Sequence, residues 1–168
     1  TGDSLMGGGF SLTQEDWVGS VLSRPLVHPP GTHFAYNNGA TYLCSAIVHQ
    51  ATGVNVFRYL QPRLFAPLGI EGADWESDPR GISTGAWGLR VRTEDIARLG
   101  HLYLRQGEWQ GRRILPEAWV RAATSTQIPN AAPGSPAIQT SDWAQGYGYQ
   151  FWRCRHGAFR GDGAFGQY

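Results

Sequence analysis

The order of the predicted elements indicates an α+β fold. Helical patterns occupy most of the first 125 residues, and two adjacent strands are predicted near the end of the chain. An α/β fold with a parallel sheet would instead alternate strands with helices along the sequence. A length of 168 residues fits one domain, and the sequence contains no internal repeat. The sequence therefore predicts one domain with helices first and antiparallel strands last.

The helices are predicted from their start and stop signals. Thr13 can cap a first helix, which Pro25 ends, and Asn55 can cap a later helix, which Pro62 interrupts. The helix that ends at Gly53 is apolar nearly all round, so we expect it to be buried. The predicted helices span about residues 14–23, 40–51, 56–64, 94–106 and 116–124.

Strands are predicted where aromatic and β-branched residues replace the helical period. Residues 86–91 suggest a short strand, 147–153 alternate and are rich in aromatic residues, and 159–167 form a strand with a glycine-rich kink. The intervening segments 71–84 and 126–142 are expected to be loops, because they are rich in proline, glycine and polar residues.

Composition excludes several classes of function. The 14 basic residues are all arginine, and 13 acidic residues nearly balance them. A net charge of +1 gives no indication of a basic surface for nucleic acid. The absence of lysine excludes Schiff-base chemistry on these residues. No apolar run reaches the roughly 18 residues of a membrane span, so no integral membrane segment is expected. The histidines lack paired ligand spacing, so we expect no metal and no cofactor.

The two cysteines do not suggest a disulfide framework. Cys44 falls within the apolar helix and Cys154 follows a predicted strand. Two cysteines in a chain of this length are most simply two ordinary buried thiols.

The tripeptide Tyr36-Asn37-Asn38, directly before the apolar helix, is the strongest candidate for chemistry. A tyrosine hydroxyl in a cleft can move protons when a neighbouring cation lowers its pKa. The amide of Asn38 could orient a hydroxyl or a substrate carbonyl. A structural interpretation, with a buried tyrosine and an asparagine helix cap, explains the same residues.

Further stretches in order along the chain complete a pattern. The run from Pro30 to Asn38 resembles the second motif of the serine β-lactamase and penicillin-binding-protein superfamily, in particular its class C β-lactamase and esterase-like branch. The resemblance extends from about residue 11 to the end of the chain. It is carried further by Ala51-Thr52-Gly53, Leu64 to Gly69, Trp87-Gly88-Leu89-Arg90, Glu94 to Arg98, Gly107 to Gly111, Ile114-Leu115-Pro116, Tyr147-Gly148-Tyr149 and Gly161-Asp162-Gly163.

This resemblance implies a partial β-lactamase/transpeptidase-like fold and hydrolysis through a covalent acyl-enzyme. The nucleophile of the family belongs to a Ser-x-x-Lys motif. By the same mapping Tyr36 is the general base and acid, and Asn38 holds the lysine or the substrate amide. The third motif falls on Gly161-Asp162-Gly163, with the backbone amide of Ala164 as an oxyanion donor.

Three further residues are expected near the substrate. His33 precedes the tyrosine motif, Trp87 lies in a glycine-containing segment, and Arg92 stands before a predicted helix. The expected partner is a small-molecule ester or amide, while the sequence leaves the oligomeric state open. It also leaves open the compartment, either the bacterial cytoplasm or the cell envelope.

The chain departs from the family pattern in two ways. It contains no Ser-x-x-Lys, so we expect residues 1–168 to be one incomplete domain, inactive by itself, with a mainly helical region over 1–125 and strands of the sheet over 143–168. Asp162 stands where a hydroxyl is usual, and a carboxylate there would repel the carboxylate of β-lactam and D-alanyl substrates. This favours an esterase or amidase over an efficient β-lactamase.

Two other functions would explain parts of this sequence. A non-catalytic binding or scaffold member of the same fold would explain the missing nucleophile. Arg160-Gly161-Asp162 spells an integrin-binding tripeptide, but such a tripeptide works only on an exposed loop and this one lies in a predicted strand.

Overall fold

The computed structural model describes residues 15–163. Contacts divide the described residues into two compact units, one of residues 15–27 and 36–102 and the other of residues 28–35 and 103–163. Mixed helices and short antiparallel strand pairs confirm the predicted α+β class. Thr13 lies outside the described residues.

The first unit contains most of the helices. They begin with α1 (Trp17–Leu22) and the long α2 (Asn38–Thr52). Next come α3 (Val56–Leu60), a π-helical turn (Gln61–Phe65), α4 (Ala66–Leu68) and α5 (Thr93–Leu104), whose last two residues belong to the second unit. The hairpin of β1 (Asp74–Trp75) and β2 (Leu89–Arg90) pairs Asp74 with Arg90 and Trp75 with Leu89.

Side chains and glycines set most of these helix ends. The Asp16 carboxylate accepts a hydrogen bond from the Gly19 amide and caps α1, and the Asn55 side chain caps α3 through the Arg58 amide. Pro62 stands in the π-helical turn, which confirms the predicted interruption. Gly53 ends α2 with a φ of 74°, a left-handed conformation that favours glycine.

The core of the first unit lies between α1 and α2. Trp17, Val21, Tyr42, Ala46 and Ile82 are buried together. Helix α2 was predicted to be buried all round, but only one of its faces contributes to this core. Its opposite face, formed by Ala40, Cys44, Ile47 and Ala51, is exposed among the described residues, so the prediction of a buried Cys44 thiol is wrong.

The second unit is built from short pieces joined by turns. The hairpin of β3 (Glu108–Trp109) and β4 (Arg112–Arg113) is followed by α6 (Glu117–Ala123) and α7 (Ala137–Thr140). The last described strands, β5 (Trp152–Arg153) and β6 (Phe159–Arg160), pair antiparallel with Trp152 opposite Arg160. The predicted strand over 147–153 is thus paired mainly at its end, although Tyr147 forms isolated bridges to Ile128 and Trp152.

Aromatic rings fill much of the second unit. Phe34 packs against Tyr147 and Trp152, and Trp143 meets the edge of Trp152 at a centroid distance of 5.0 Å. Close backbone approach adds to this packing, because a Cβ on Gly148 would overlap the carbonyl oxygens of Ala123 and Ser125. Residue 148 therefore has room only for glycine.

Candidate functional site

The tyrosine motif lies at the start of α2. Asn37 is the N-cap, and its side-chain oxygen accepts a hydrogen bond of 3.1 Å from the Ala40 amide. Asn38 is the first residue of the helix and is half-buried. The capping role that could have explained an asparagine here therefore belongs to Asn37, which leaves the amide of Asn38 for another task.

Tyr36 precedes this cap and is the most exposed member of the motif. The residue is 45% exposed, so the structural interpretation of a buried tyrosine does not apply among the described residues. Tyr36 can therefore meet a molecule in solution. Tyr36 directly precedes the N-cap Asn37 and Asn38 is the first residue of α2, so a potential proton carrier and an amide stand two residues apart at the start of one helix.

A polar anchor in the core fixes α2 on the loop that follows β1. The buried Tyr42 hydroxyl donates a hydrogen bond of 2.6 Å to Asp78, whose other oxygen accepts from the amides of Arg80 and Ile82. Burial, and then the hydrogen bond to Asp78, raise the pKa of Tyr42 far above its usual value. Tyr42 therefore stays protonated and serves as a structural donor, whereas Tyr36 is the accessible phenol.

Trp87 has a packing role in the same unit. Its ring lies 5.8 Å from that of Trp17, and its carbonyl accepts hydrogen bonds from the Trp75 indole and the Thr84 hydroxyl. The predicted strand over 86–91 is paired only at Leu89–Arg90. Contact of Trp87 with a substrate stays a prediction.

Arg92 is engaged by a buried carboxylate. Asp95, in the first turn of α5, accepts hydrogen bonds from the Arg92 amide and guanidinium and from Arg98, which also reaches the Gly69 carbonyl at the end of α4. The Arg92 hydrogen bond is the main cause of the lowered pKa of Asp95. The hydrogen bond from Arg98 to the Gly69 carbonyl joins α5 to the end of α4. A substrate contact by Arg92 stays a prediction.

His33 lies in the second unit on an exposed stretch. Its ring stacks on that of His28 at a centroid distance of 4.0 Å. Within residues 15–163, no three His, Cys, Asp or Glu side chains are grouped as a metal site would require.

The predicted third motif follows the last described strand. Gly161, Asp162 and Gly163 come directly after β6, while Ala164, the predicted oxyanion donor, lies outside the described residues. Asp162 does not present a bare carboxylate, because the Arg160 guanidinium binds it through Nε at 3.0 and 2.9 Å from its two oxygens. The same pairing occupies both charged side chains of the potential adhesive tripeptide.

Arg160 belongs to this region but is not among the site residues predicted from the sequence. Its guanidinium stacks on Trp143, 4.2 Å from the ring centroid, and donates to the Cys154 sulfur. The signal was present in the sequence, because residues two apart along an extended strand point to the same side. Asp142 next to Trp143 pairs with Arg155, which lowers the pKa of Asp142.

The predicted site residues thus fall into two sets. Tyr36, Asn38, Trp87 and Arg92 belong to the first unit, whereas His33 and Gly161 to Gly163 belong to the second. Within the first unit the structure holds Tyr36 and Asn38 together at one helix start, and within the second it joins Asp162 to Arg160.

None of the helices in residues 15–163 is both long and apolar enough to cross a bilayer.

No curated protein matches the chain. Solved structures do. The structure described as "Putative 6-aminohexanoate-dimer hydrolase from Bacillus anthracis" is 30% identical, with a TM-score of 0.73 over 90% of this chain and 38% of that one.

Two further structures are similar. A β-lactamase-like protein from Bacteroides dorei is 26% identical, with a TM-score of 0.64 over 81% of this chain and 43% of its own. The penicillin-binding protein from Bacillus halodurans, at 19% identity and a TM-score of 0.59, shares the fold over 82% of this chain and 45% of its own. The chain thus spans less than half of each of these proteins.

The sequence model of one family matches almost the whole chain. The match to the β-lactamase family covers residues 3–168, and the similar structures confirm a partial β-lactamase/transpeptidase-like fold. The chain therefore belongs to the β-lactamase family.

Proposed function

We propose that this chain is part of a serine hydrolase that cleaves a small-molecule ester or amide through an acyl-enzyme. Membership of the β-lactamase family and the hydrolase among the similar structures support a hydrolase of the serine type. In this proposal the nucleophile comes from a Ser-x-x-Lys segment outside these 168 residues, so residues 1–168 form one incomplete domain that is inactive alone.

The observation that carries the proposal is the exposed Tyr36 phenol beside the capped start of α2. A proton carrier must reach the hydroxyl of the nucleophile and later the leaving group, so its own hydroxyl has to be accessible. Tyr36 meets this requirement, whereas the buried Tyr42 does not. Asn38, freed from the capping role by Asn37, would hold the lysine or the substrate amide.

An esterase or amidase is favoured over an efficient β-lactamase. The third motif has glycine and aspartate in place of the usual cation and hydroxyl, so it lacks the groups that would hold an anionic substrate. The Ala164 amide would contribute to the oxyanion site, and His33, Trp87 and Arg92 would contact the substrate at its edges.

The test compares the 168-residue chain with a longer protein from the same gene that includes the upstream Ser-x-x-Lys. We expect the longer protein to hydrolyse p-nitrophenyl esters and the 168-residue chain to show neither turnover nor burst acylation. Tyr36→Phe in the longer protein should lower kcat by about a hundredfold or more, since general acid–base groups contribute about that much. The matched control Tyr59→Phe should leave kcat unchanged.

Two results would contradict this proposal. Burst acylation by the 168 residues alone would place a nucleophile within them. A gene without any Ser-x-x-Lys upstream would instead support a non-catalytic binding or scaffold member of the family.

A further inference from the structure

Arg160 and Asp162 form an ion pair in which both partners are largely shielded from water. The two carboxylate oxygens of Asp162 lie 3.0 and 2.9 Å from Nε of Arg160. The side chains of Arg160 and Asp162 are only 24% and 9% exposed. Salt screens an ion pair this sheltered much less than one on the surface, so the attraction between the two charges persists at ordinary ionic strength.

The surroundings of Arg160 hold it in this position. Its guanidinium lies 4.2 Å from the ring centroid of Trp143 and donates a hydrogen bond of 3.4 Å to Cys154. The short 3-10 helix Asp142–Ala144, which bears Trp143, is fixed in turn, because the side-chain amide of Asn130 donates a hydrogen bond of 2.7 Å to the Trp143 carbonyl. A guanidinium with a planar stacking partner and two directed hydrogen bonds has few other arrangements available.

We propose that Arg160 and Asp162 act as a charge-neutral specificity pair beside the third motif. Each masks the other, so the segment that leads to the oxyanion donor carries no net charge, and the site takes acyl groups that are uncharged near the scissile carbonyl. This inference rests on the proposed function for its substrate. It replaces the expectation that Asp162 alone repels anionic substrates, because the repelling charge is already neutralised.

The pair makes an unusual prediction about single substitutions. Arg160→Gln unmasks a negative charge and should favour an acyl group with an ammonium, whereas Asp162→Asn unmasks a positive charge and should favour one with a carboxylate. The double variant restores neutrality and should discriminate as little as the wild type. If Asp162 acted alone as a bare carboxylate, Arg160→Gln would leave the discrimination unchanged.

A first experiment measures the local charge without any catalysis. Cys154 contacts Arg160, so its rate of reaction with an anionic and with a cationic methanethiosulfonate reagent reports the potential there. The exposed Cys44, in the other unit, gives the reference ratio in the same sample. Mass spectrometry of the two cysteine peptides gives all four rates in the 168-residue chain.

The expected ratios follow from the sign of the unmasked charge. In the wild type, the anionic-to-cationic rate ratio at Cys154 should lie within about twofold of that at Cys44. It should rise about tenfold in Asp162→Asn and fall about tenfold in Arg160→Gln, because one unit charge at roughly 6 Å in a water-like dielectric changes the two rates about threefold each, in opposite directions. If Arg160→Gln folds poorly, Arg160→Lys provides a second test. It keeps the positive charge and should retain the wild-type ratio.

A second experiment measures specificity in the longer protein with three matched esters bearing a neutral, a carboxylate or an ammonium group. We expect opposite shifts in kcat/KM for the two single variants, by about threefold, and none for the double variant. Single variants that shift the Cys154 ratio in the same direction would overturn the pair. Opposite shifts at Cys154 without hydrolysis of any ester would instead refute the proposed function and leave the charge pairing standing.

Discussion

Replacing Tyr42 with phenylalanine tests whether the hydrogen bond to Asp78 anchors α2. Tyr42 is fully buried, and its hydroxyl is the only group described that donates to Oδ2 of Asp78, at 2.6 Å. The variant keeps the ring and removes the donor, so one oxygen of a buried carboxyl loses its partner. A hydrogen bond to a charged group contributes about 1.5–3 kcal/mol, so the free energy of unfolding should fall by about 2 kcal/mol.

The assay is urea denaturation followed by tryptophan fluorescence. Trp17 lies 5.6 Å from the Tyr42 ring, so its emission reports on this part of the core. Tyr59→Phe is the matched control, because Tyr59 is half-buried on α3 with its ring facing Arg63. That control should change the free energy of unfolding by less than about 0.5 kcal/mol.

The pH dependence adds a second, independent readout. Because the pKa of Tyr42 is raised in the folded state, the unfolded chain loses this proton first as the pH rises. Wild-type stability should therefore fall above a pH of about 10, where an ordinary tyrosine ionises, and Tyr42→Phe should lose part of that dependence. Equal losses of stability in Tyr42→Phe and Tyr59→Phe, with parallel pH curves, would refute the anchor.

Three pairs of substitutions test other parts of the structure. Gly148→Ala should lower the free energy of unfolding, measured by urea denaturation, by more than about 2 kcal/mol, because the new Cβ would overlap two carbonyl oxygens. The control Gly100→Ala on α5 has open space for its Cβ and should raise the free energy of unfolding by about 0.5–1 kcal/mol. Asp95→Asn should lower the free energy of unfolding at neutral pH relative to Glu94→Gln. Because the pKa of Asp95 is lowered in the folded state, its contribution to stability is present above a pH of about 4 and is lost as the pH falls further. Acid titration should therefore lower the stability of the wild type more than that of Asp95→Asn. Asn37→Ala should cost about 1 kcal/mol through the lost helix cap, while Asn38→Ala should leave stability unchanged, which denaturation of the two variants side by side would show.

Local signals in the sequence predicted much of the fold. Asn55 and Gly53 marked helix ends that the structure confirms, and Pro62 marked the interruption after α3. These residues act on their immediate neighbours, so their effect can be inferred without knowing the tertiary structure. The family resemblance, which uses the order of many such short motifs, was confirmed in the same way.

Features that depend on distant neighbours were harder to predict. The apolar pattern of α2 does not say what covers each face, and Cys44 proved to be exposed. The helix predicted over about residues 94–106 begins at Thr93, and its start is fixed by the Asp95 carboxylate, which accepts a hydrogen bond from the Arg92 amide. Strand β1 was missed, because Asp74–Trp75 lies in a polar loop and pairs with Leu89–Arg90 far along the chain.

The candidate site divides along the same line. Tyr36 and Asn38 could be identified because they are two residues apart and adjacent to a recognisable helix start. The contact of Arg160 with Asp162 was also local, but its meaning depends on Trp143, which lies in a short 3-10 helix 17 residues earlier and stacks on the guanidinium. Sequence spacing could suggest that the two charges meet, yet not that they are held together and shielded.

The division of labour between Asn37 and Asn38 has a consequence for how the protein ages. Asn38 precedes Gly39, and in flexible chains an asparagine before glycine loses ammonia readily, because the glycine amide nitrogen attacks the side-chain carbonyl. Here Asn37 caps α2 and so holds Asn38 and Gly39 in the first turn of the helix, and Gly39 is buried. Attack by the Gly39 nitrogen therefore requires the start of the helix to open. The rate at which Asn38 is deamidated during storage would then report how often the start of α2 opens.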